Sequence, residues 1–141
     1  MVTARFLLDT NAVSEAIRPA LNPTFLRRFR EHRMSLAIGA PTWHELRFGA
    51  QRLAAGRRRQ VVEAYLDTVV GDGFEILPYD AEAAAWHARE RARLCEIGRP
   101  SPFVDGQIAA IAVQHGIPLV THNTRDFDGF VDLVVMDWSV E

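Results

Sequence analysis

The stretch Phe6-Leu7-Leu8-Asp9-Thr10-Asn11 decides the fold. Three large apolar residues run together and stop at a carboxylate. A short unbroken apolar run of this kind predicts a strand buried on both faces, as in a parallel sheet. Asp9, Thr10 and Asn11 then sit at the carboxyl end of that strand, the edge at which open α/β sheets bind their ligands.

Working outward from it, strands and helices alternate. Arg5–Leu8 is the first strand. Asp9 or Thr10 caps a short helix running to about Ala16, ended before Pro19. Asn22-Pro23 opens a second helix, with Asn as cap and Pro in the first turn. Met34–Ile38 is a second strand, broken by Gly39 and Pro41. Thr42 is the expected cap of a third helix, in which Trp43, Leu46, Ala50 and Leu53 recur at helical spacing, and Gly56 ends it. Arg57–Val70 reads as a fourth helix. Gly71-Asp72-Gly73 is a turn, followed by a third strand, Phe74–Leu77. Asp80 caps a long helix from Ala81 to about Ile97, closed by Gly98. Its charged run Arg89, Glu90, Arg91 and Arg93 suits a solvated face. Ser101-Pro102 starts the next helix, which runs through His115 to the stop signal Gly116. Pro118–Thr121 and Leu133–Met136 complete the strands. With no repeat, linker or low-complexity segment, residues 1–141 read as one α/β domain. Its parallel sheet of four to five strands is flanked by helices on both faces.

Composition narrows the function. The chain has 141 residues and a formal net charge of −2. All 16 basic residues are Arg. The absence of Lys excludes a P-loop, which places its Lys on phosphates, and disfavours phosphatases and receiver-like domains that pair a strand-end Asp with a Lys. Arg forks onto phosphate oxygens, so an all-Arg set suits a phosphate-rich partner, though genomic base composition explains it equally well. Arg27, Arg28, Arg57, Arg58 and Arg59 are the clusters that could hold such phosphates. No apolar run approaches the roughly 20 residues of a membrane helix. Neither a signal-peptide pattern nor a second cysteine accompanies Cys95, so a reducing cytoplasm is the expected location and Cys95 a small buried or half-buried side chain.

Four groups of oxygen-bearing side chains fall where they could reach one sheet edge. Asp9 also suits a plain helix cap, and Glu45 a first-turn acid favoured by the helix dipole. Asp105 is more telling, because it shares a helix face with Ile108, Ala109 and Ala112, and a carboxylate on an apolar stripe is costly unless compensated. Asn123 and Asp126 follow a strand, where turn chemistry is the ordinary use. Thr10, Asn11 and Thr121 are caps or orienting groups. His44, His115 and His122 lack zinc spacing and are left on the surface or behind the acids. Two carboxylates about 4 Å apart repel by roughly 4 kcal/mol at an effective dielectric near 20, so a converging set demands a cation or protons. Oxygen-only ligands favour Mg²⁺ or Mn²⁺. Such an ion polarises a phosphoryl oxygen and activates an attacking water, and a free carboxylate takes the proton, which is a route to phosphodiester hydrolysis.

Leu7-Leu8-Asp9-Thr10-Asn11, with Ser14-Glu15 and Arg18-Pro19, resembles the opening of PIN-domain ribonucleases of the VapC toxin type, especially its FitB-like branch. Glu45-Leu46-Arg47-Phe48-Gly49, Asp105-Gly106-Gln107-Ile108-Ala109-Ala110 and Thr121-His122-Asn123-Thr124-Arg125-Asp126-Phe127 resemble that family's later acidic motifs, in order and over essentially the whole chain. The resemblance implies a PIN-like α/β/α sandwich with metal ligands at Asp9, Glu45 and Asp105. It implies a Mg²⁺- or Mn²⁺-dependent endoribonuclease, commonly a homodimer, acting on tRNA or other structured RNA as a toxin neutralised by a cognate antitoxin. For the fourth position either Asp126 or Asn123 completes the site. Asp126 ranks first as the acid, and Asn123 as an oxygen ligand or orienting group. The rival expectations are a dimeric antitoxin-binding scaffold within a DNA-binding repressor complex, and a nuclease acting on DNA or a small phosphatase using the same metal site.

Overall fold

Leu7 and Leu8 are both fully buried, on opposite sides of one sheet. The computed structural model describes residues 4–16 and 22–140; the Arg18-Pro19 pair, and with it the expected stop at Pro19, lies outside them. Strand β1 (Phe6–Leu8) is central, paired in parallel with β2 (Leu36–Gly39) on one side and β4 (Leu119–Val120) on the other. Outside these lie β3 (Glu75–Leu77) and β5 (Val135–Met136), giving the order β3-β2-β1-β4-β5 with every pairing parallel.

Period-two alternation sorts the core into two layers. Leu8, Ile38 and Val120 face one way and pack with helices α1 (Thr10–Glu15), α2 (Pro23–Glu31), α3 (Ala40–Arg52) and residues beyond α4 (Arg57–Tyr65). Leu7, Ala37 and Leu119 face the other way, against α5 (Ala81–Glu96) and α6 (Phe103–His115). Burying each such leucine stabilises the fold by about 1.5–3 kcal/mol. The architecture is the expected α/β/α sandwich.

The order in which strands join the sheet matters for the site. From β1 the chain steps outward to β2 and β3, then returns to the far side of β1 for β4 and β5. The reversal falls between β1 and β4, and a crevice opens at the carboxyl ends of strands where such a reversal occurs. Helices leading back to parallel strands run antiparallel to them. The beginnings of α1, α3 and α6 therefore lie at this same edge, whereas α5 runs antiparallel to α6, its Asp80 carboxylate meeting Gln114 near the far end of α6.

Several local expectations are corrected. Gly39, not Thr42, caps α3, because Pro41 fits the first helical turn and lets the helix begin at Ala40. Thr42 is instead fully buried, with its hydroxyl unpaired among the described residues. The fourth helix is α-helical only to Tyr65 and continues as a π-helical turn, Leu66–Gly71. Ser101 makes no capping bond to α6, whose N-terminal cap is Pro102. Cys95 is exposed, since the neighbouring Leu94 takes the core-facing position. Finally, the charged run on α5 is not wholly solvated. Glu90 is buried, receiving Arg93 Nε and Nη2 at 2.9 Å each and the Val131 amide at 2.9 Å, while Arg93 Nη2 also donates to the Gly129 carbonyl at 2.7 Å. The pair braces the loop that follows Asp126, and the Arg93 guanidinium holds the Glu90 carboxyl below its ordinary range.

Candidate active site

Asp9 is the last residue before α1 and directly follows β1. Its amide donates to the Val120 carbonyl at 3.1 Å, which ties it to β4 across the crevice. Its Oδ1 accepts the Ala12 amide at 2.8 Å as the cap of α1, and its Oδ2 accepts the Thr121 hydroxyl at 2.5 Å. Thr121 is fully buried, and its Oγ1 in turn accepts the Asn123 amide at 3.0 Å. The cap expected of Asp9 is thus real, and it leaves the carboxylate fixed rather than free. Burial pushes the Asp9 carboxyl up, opposed by the Thr121 and Ala12 hydrogen bonds and by nearby His122, and reinforced by Asp126.

Asp105 is held in the first turn of α6, half-buried, on the face that carries the buried Ile108, Ala109 and Ala112. Gly106 packs directly on the His87 imidazole of α5; a Cβ there would collide with the ring, so this glycine sets how closely α5 and α6 approach. The Asp105 carboxyl is pushed up to about 6, first by burial and then by the negative charges of Asp126, Asp9 and Glu45. Asp105 therefore feels all three other acids, although the four come from four separate segments. Glu45 lies on α3 and is exposed; Asp126 lies exposed in the short 3₁₀ segment Thr124–Phe127 after β4.

A cleft of about 220 Å³ is lined by Asp9, Thr10, Asn11, Glu45 and Asp105. Asn123 is exposed at the start of the loop, and its carbonyl accepts the Asp126 amide at 3.0 Å. The arginines singled out in the sequence do not line this cleft. Arg59 bridges Gln51 and Glu63, and Arg28 donates to the Asp137 carbonyl at 3.4 Å; Arg57 and Arg58 are exposed at the start of α4. Among the histidines, His122 is half-buried behind Asp9, with Nδ1 3.2 Å from Asp137 Oδ1.

The donor set suits a hard divalent cation. It is oxygen-only and carries up to four negative charges, and the charges of the other three acids all bear on Asp105. Among the described residues no three acidic, histidine or cysteine side chains stand close enough to enclose an ion unaided.

A parallel α/β sandwich with an acidic, oxygen-only cleft at its topological switch point defines a class of protein suited to phosphoester chemistry. The match is closer than class level: the PIN domain family spans residues 6–131, and the chain belongs to that family. It is 34% identical over 137 residues to the tRNA(fMet)-specific endonuclease VapC of Shigella flexneri, covering 96% of this chain and 98% of that one. It is 33% identical to toxin FitB of Neisseria gonorrhoeae, covering 86% and 89%. Among solved structures, FitAB bound to a DNA fragment superposes with a TM-score of 0.89 at 29% identity, over 96% of each chain.

Proposed function

We propose that this protein is the toxin of a toxin–antitoxin pair, an endoribonuclease that hydrolyses phosphodiesters of tRNA or other structured RNA with Mg²⁺ or Mn²⁺. Asp9, Glu45 and Asp105 would hold the ion, with Asp126 or Asn123 completing the set. The observation that carries the reading is the cleft at the sheet edge in which Asp9, Glu45 and Asp105 line one hollow, with the Asp105 carboxyl raised to about 6 by burial and by the three other acids. Such a site lacks positive charge and not ligands.

When bound, the divalent ion supplies charge neutralisation, polarisation of the phosphoryl oxygen and acidification of water. The chain's own residues do the rest. Thr121 and the start of α1 fix Asp9 so that its carboxylate need not reorganise during reaction. A carboxylate of the set accepts the proton of the attacking water. Thr10 and Asn11, on the cleft wall, orient the phosphate or the water. Phosphates farther along the RNA reach the exposed Arg57 and Arg58.

The relatives support the biological half of the reading, being named as an endonuclease and a toxin. FitAB has been solved bound to a DNA fragment. This favours a second role for the present chain, as a homodimeric, antitoxin-binding scaffold in a DNA-binding repressor complex. One assay separates these. Purified free protein is offered total tRNA, single-stranded DNA and a phosphomonoester, with Mg²⁺, with Mn²⁺ and with EDTA. Metal-dependent cutting of RNA alone supports the nuclease toxin. Tight antitoxin binding without cleavage of any RNA supports the scaffold.

A further inference from the structure

We infer that the pocket beside the acidic cleft on its β3 side is a nucleobase subsite, which seats an unpaired base next to the phosphate to be cut; the inference rests on the nuclease reading. This pocket, about 490 Å³, is lined by Pro41 and His44 of α3, Tyr79 after β3, and Gln107 of α6, and it shares Glu45 and Val104 with the acidic cleft. The two hollows therefore adjoin one another, and a nucleotide whose phosphate meets the acids has this pocket beside it for its neighbouring base. Its size falls within the roughly 300–1,000 Å³ typical of small-molecule sites.

The lining fits a base rather than a phosphate. It holds no arginine, and its one formal charge is negative, from Glu45. Proline and valine side chains and the Tyr79 ring provide apolar surface. Single-stranded RNA is read by stacking bases on aromatic rings and bonding to their edges. The Tyr79 ring is held in place for such stacking, since its hydroxyl meets His87 Nδ1 at 2.7 Å and the ring lies edge-on to the His87 imidazole. His44 is exposed and stacked on Phe48 at 6.0 Å, so an entering base extends an existing stack. Half-exposed Gln107 offers both donors and acceptors, the set needed to tell base edges apart. The other crevice near the acids, between Arg99, Arg125, Asp126 and Asp128, is a poorer candidate because Asp128 already neutralises Arg99 at 3.0 Å.

The test uses fluorescently labelled tetraribonucleotides in which each base in turn is replaced by an abasic site. Binding is read by anisotropy with the Asp9→Asn variant, so that cleavage is not needed for the answer, and cutting is read with wild type. One abasic position should weaken binding about tenfold, the scale of a lost stacked base. Gln107→Leu and His44→Ala should raise KM several-fold and blunt the preference among bases, with kcat and Mn²⁺ affinity unchanged. Tyr79→Phe, which keeps the ring but loses the bond to His87 that holds it, should bind a few-fold more weakly than wild type, and Tyr79→Leu about tenfold more weakly. Equal binding by every abasic substrate, or no binding of RNA at all, overturns the subsite. RNA that is cut normally but with no base dependence overturns the subsite alone. RNA that is bound with the expected base dependence but never cut overturns the nuclease reading and keeps the subsite.

Discussion

Thr121 Oγ1 donates to Asp9 Oδ2 across 112 residues of sequence, and this hydrogen bond spans the crevice between β1 and β4. It joins the two strand ends at which the sheet reverses its order of growth. The Asp9 carboxylate on the wall of the candidate cleft is thus oriented by the fold itself.

Thr121→Val keeps the shape of the side chain and removes that donor. It should lower metal affinity or cleavage rate about 10–100-fold, the usual cost of losing a group that orients a ligand. Thr121→Ser should recover most of it. Metal titration and kcat/KM on a single RNA check both.

The pH dependence follows from Asp105. Its folded pKa lies near 6, above the ordinary 3.8. Between these values the unfolded chain binds fewer protons than the folded one, so without metal the contribution of Asp105 to stability falls as pH rises from about 4 to 6 and stays lost above. Each unit is about 1.4 kcal/mol, and solvent screening at this half-buried site reduces the total to about 1–2 kcal/mol. Asp105→Asn should therefore raise the metal-free Tm at pH 7.5 and have little effect at pH 4. Mg²⁺ should stabilise wild type more at pH 7.5 than at pH 5. Differential scanning calorimetry at these pH values reads both effects.

Glu90→Ala should destabilise by about 1–3 kcal/mol, because it takes away the acceptor of the Val131 amide and leaves Arg93 only the Gly129 carbonyl. For a chain of this size that is a fall in Tm of several degrees. The Glu90 pKa is lowered, so its contribution is present above the unfolded value and lost as pH falls through the folded one. Thermal melts across pH 3 to 7 measure it, and a modest drop in cleavage should accompany it as the loop after Asp126 loosens.

Replacing Arg57 and Arg58 by Gln should reduce the slope of log Kd against log salt for RNA, since each phosphate contact contributes to that slope. An unchanged slope would mark both as solvated charges. Arg59 is the internal control, because its bonds to Gln51 and Glu63 predict a loss of stability first.

Local spacing explains why much of the lining of the candidate cleft is legible in the sequence. Leu7-Leu8 ending at Asp9, and Asp105 set among Ile108, Ala109 and Ala112, carry their meaning in local spacing. The brace from Glu90 and Arg93 does not, because their respective partners Val131 and Gly129 lie some 40 residues away, and a charged run on a helix looks the same whether it is solvated or folded onto a loop. Tyr79 and Gln107 are equally silent, since a pocket formed by α3, α6 and the end of β3 exists only once the sheet has assembled. Thr42 misleads for a simpler reason: Pro41 serves the first turn of a helix as well as it breaks a strand.

The most direct measurement is a calorimetric titration of Mn²⁺ into wild type, Asp9→Asn and Asp105→Asn, run beside RNA cleavage by the same preparations. Saturable binding by wild type, its loss in both variants and the parallel loss of cutting, with wild-type cutting abolished by EDTA and restored by Mn²⁺, is the predicted result. RNA cut at the full rate in EDTA, or by metal-free Asp9→Asn, would contradict it.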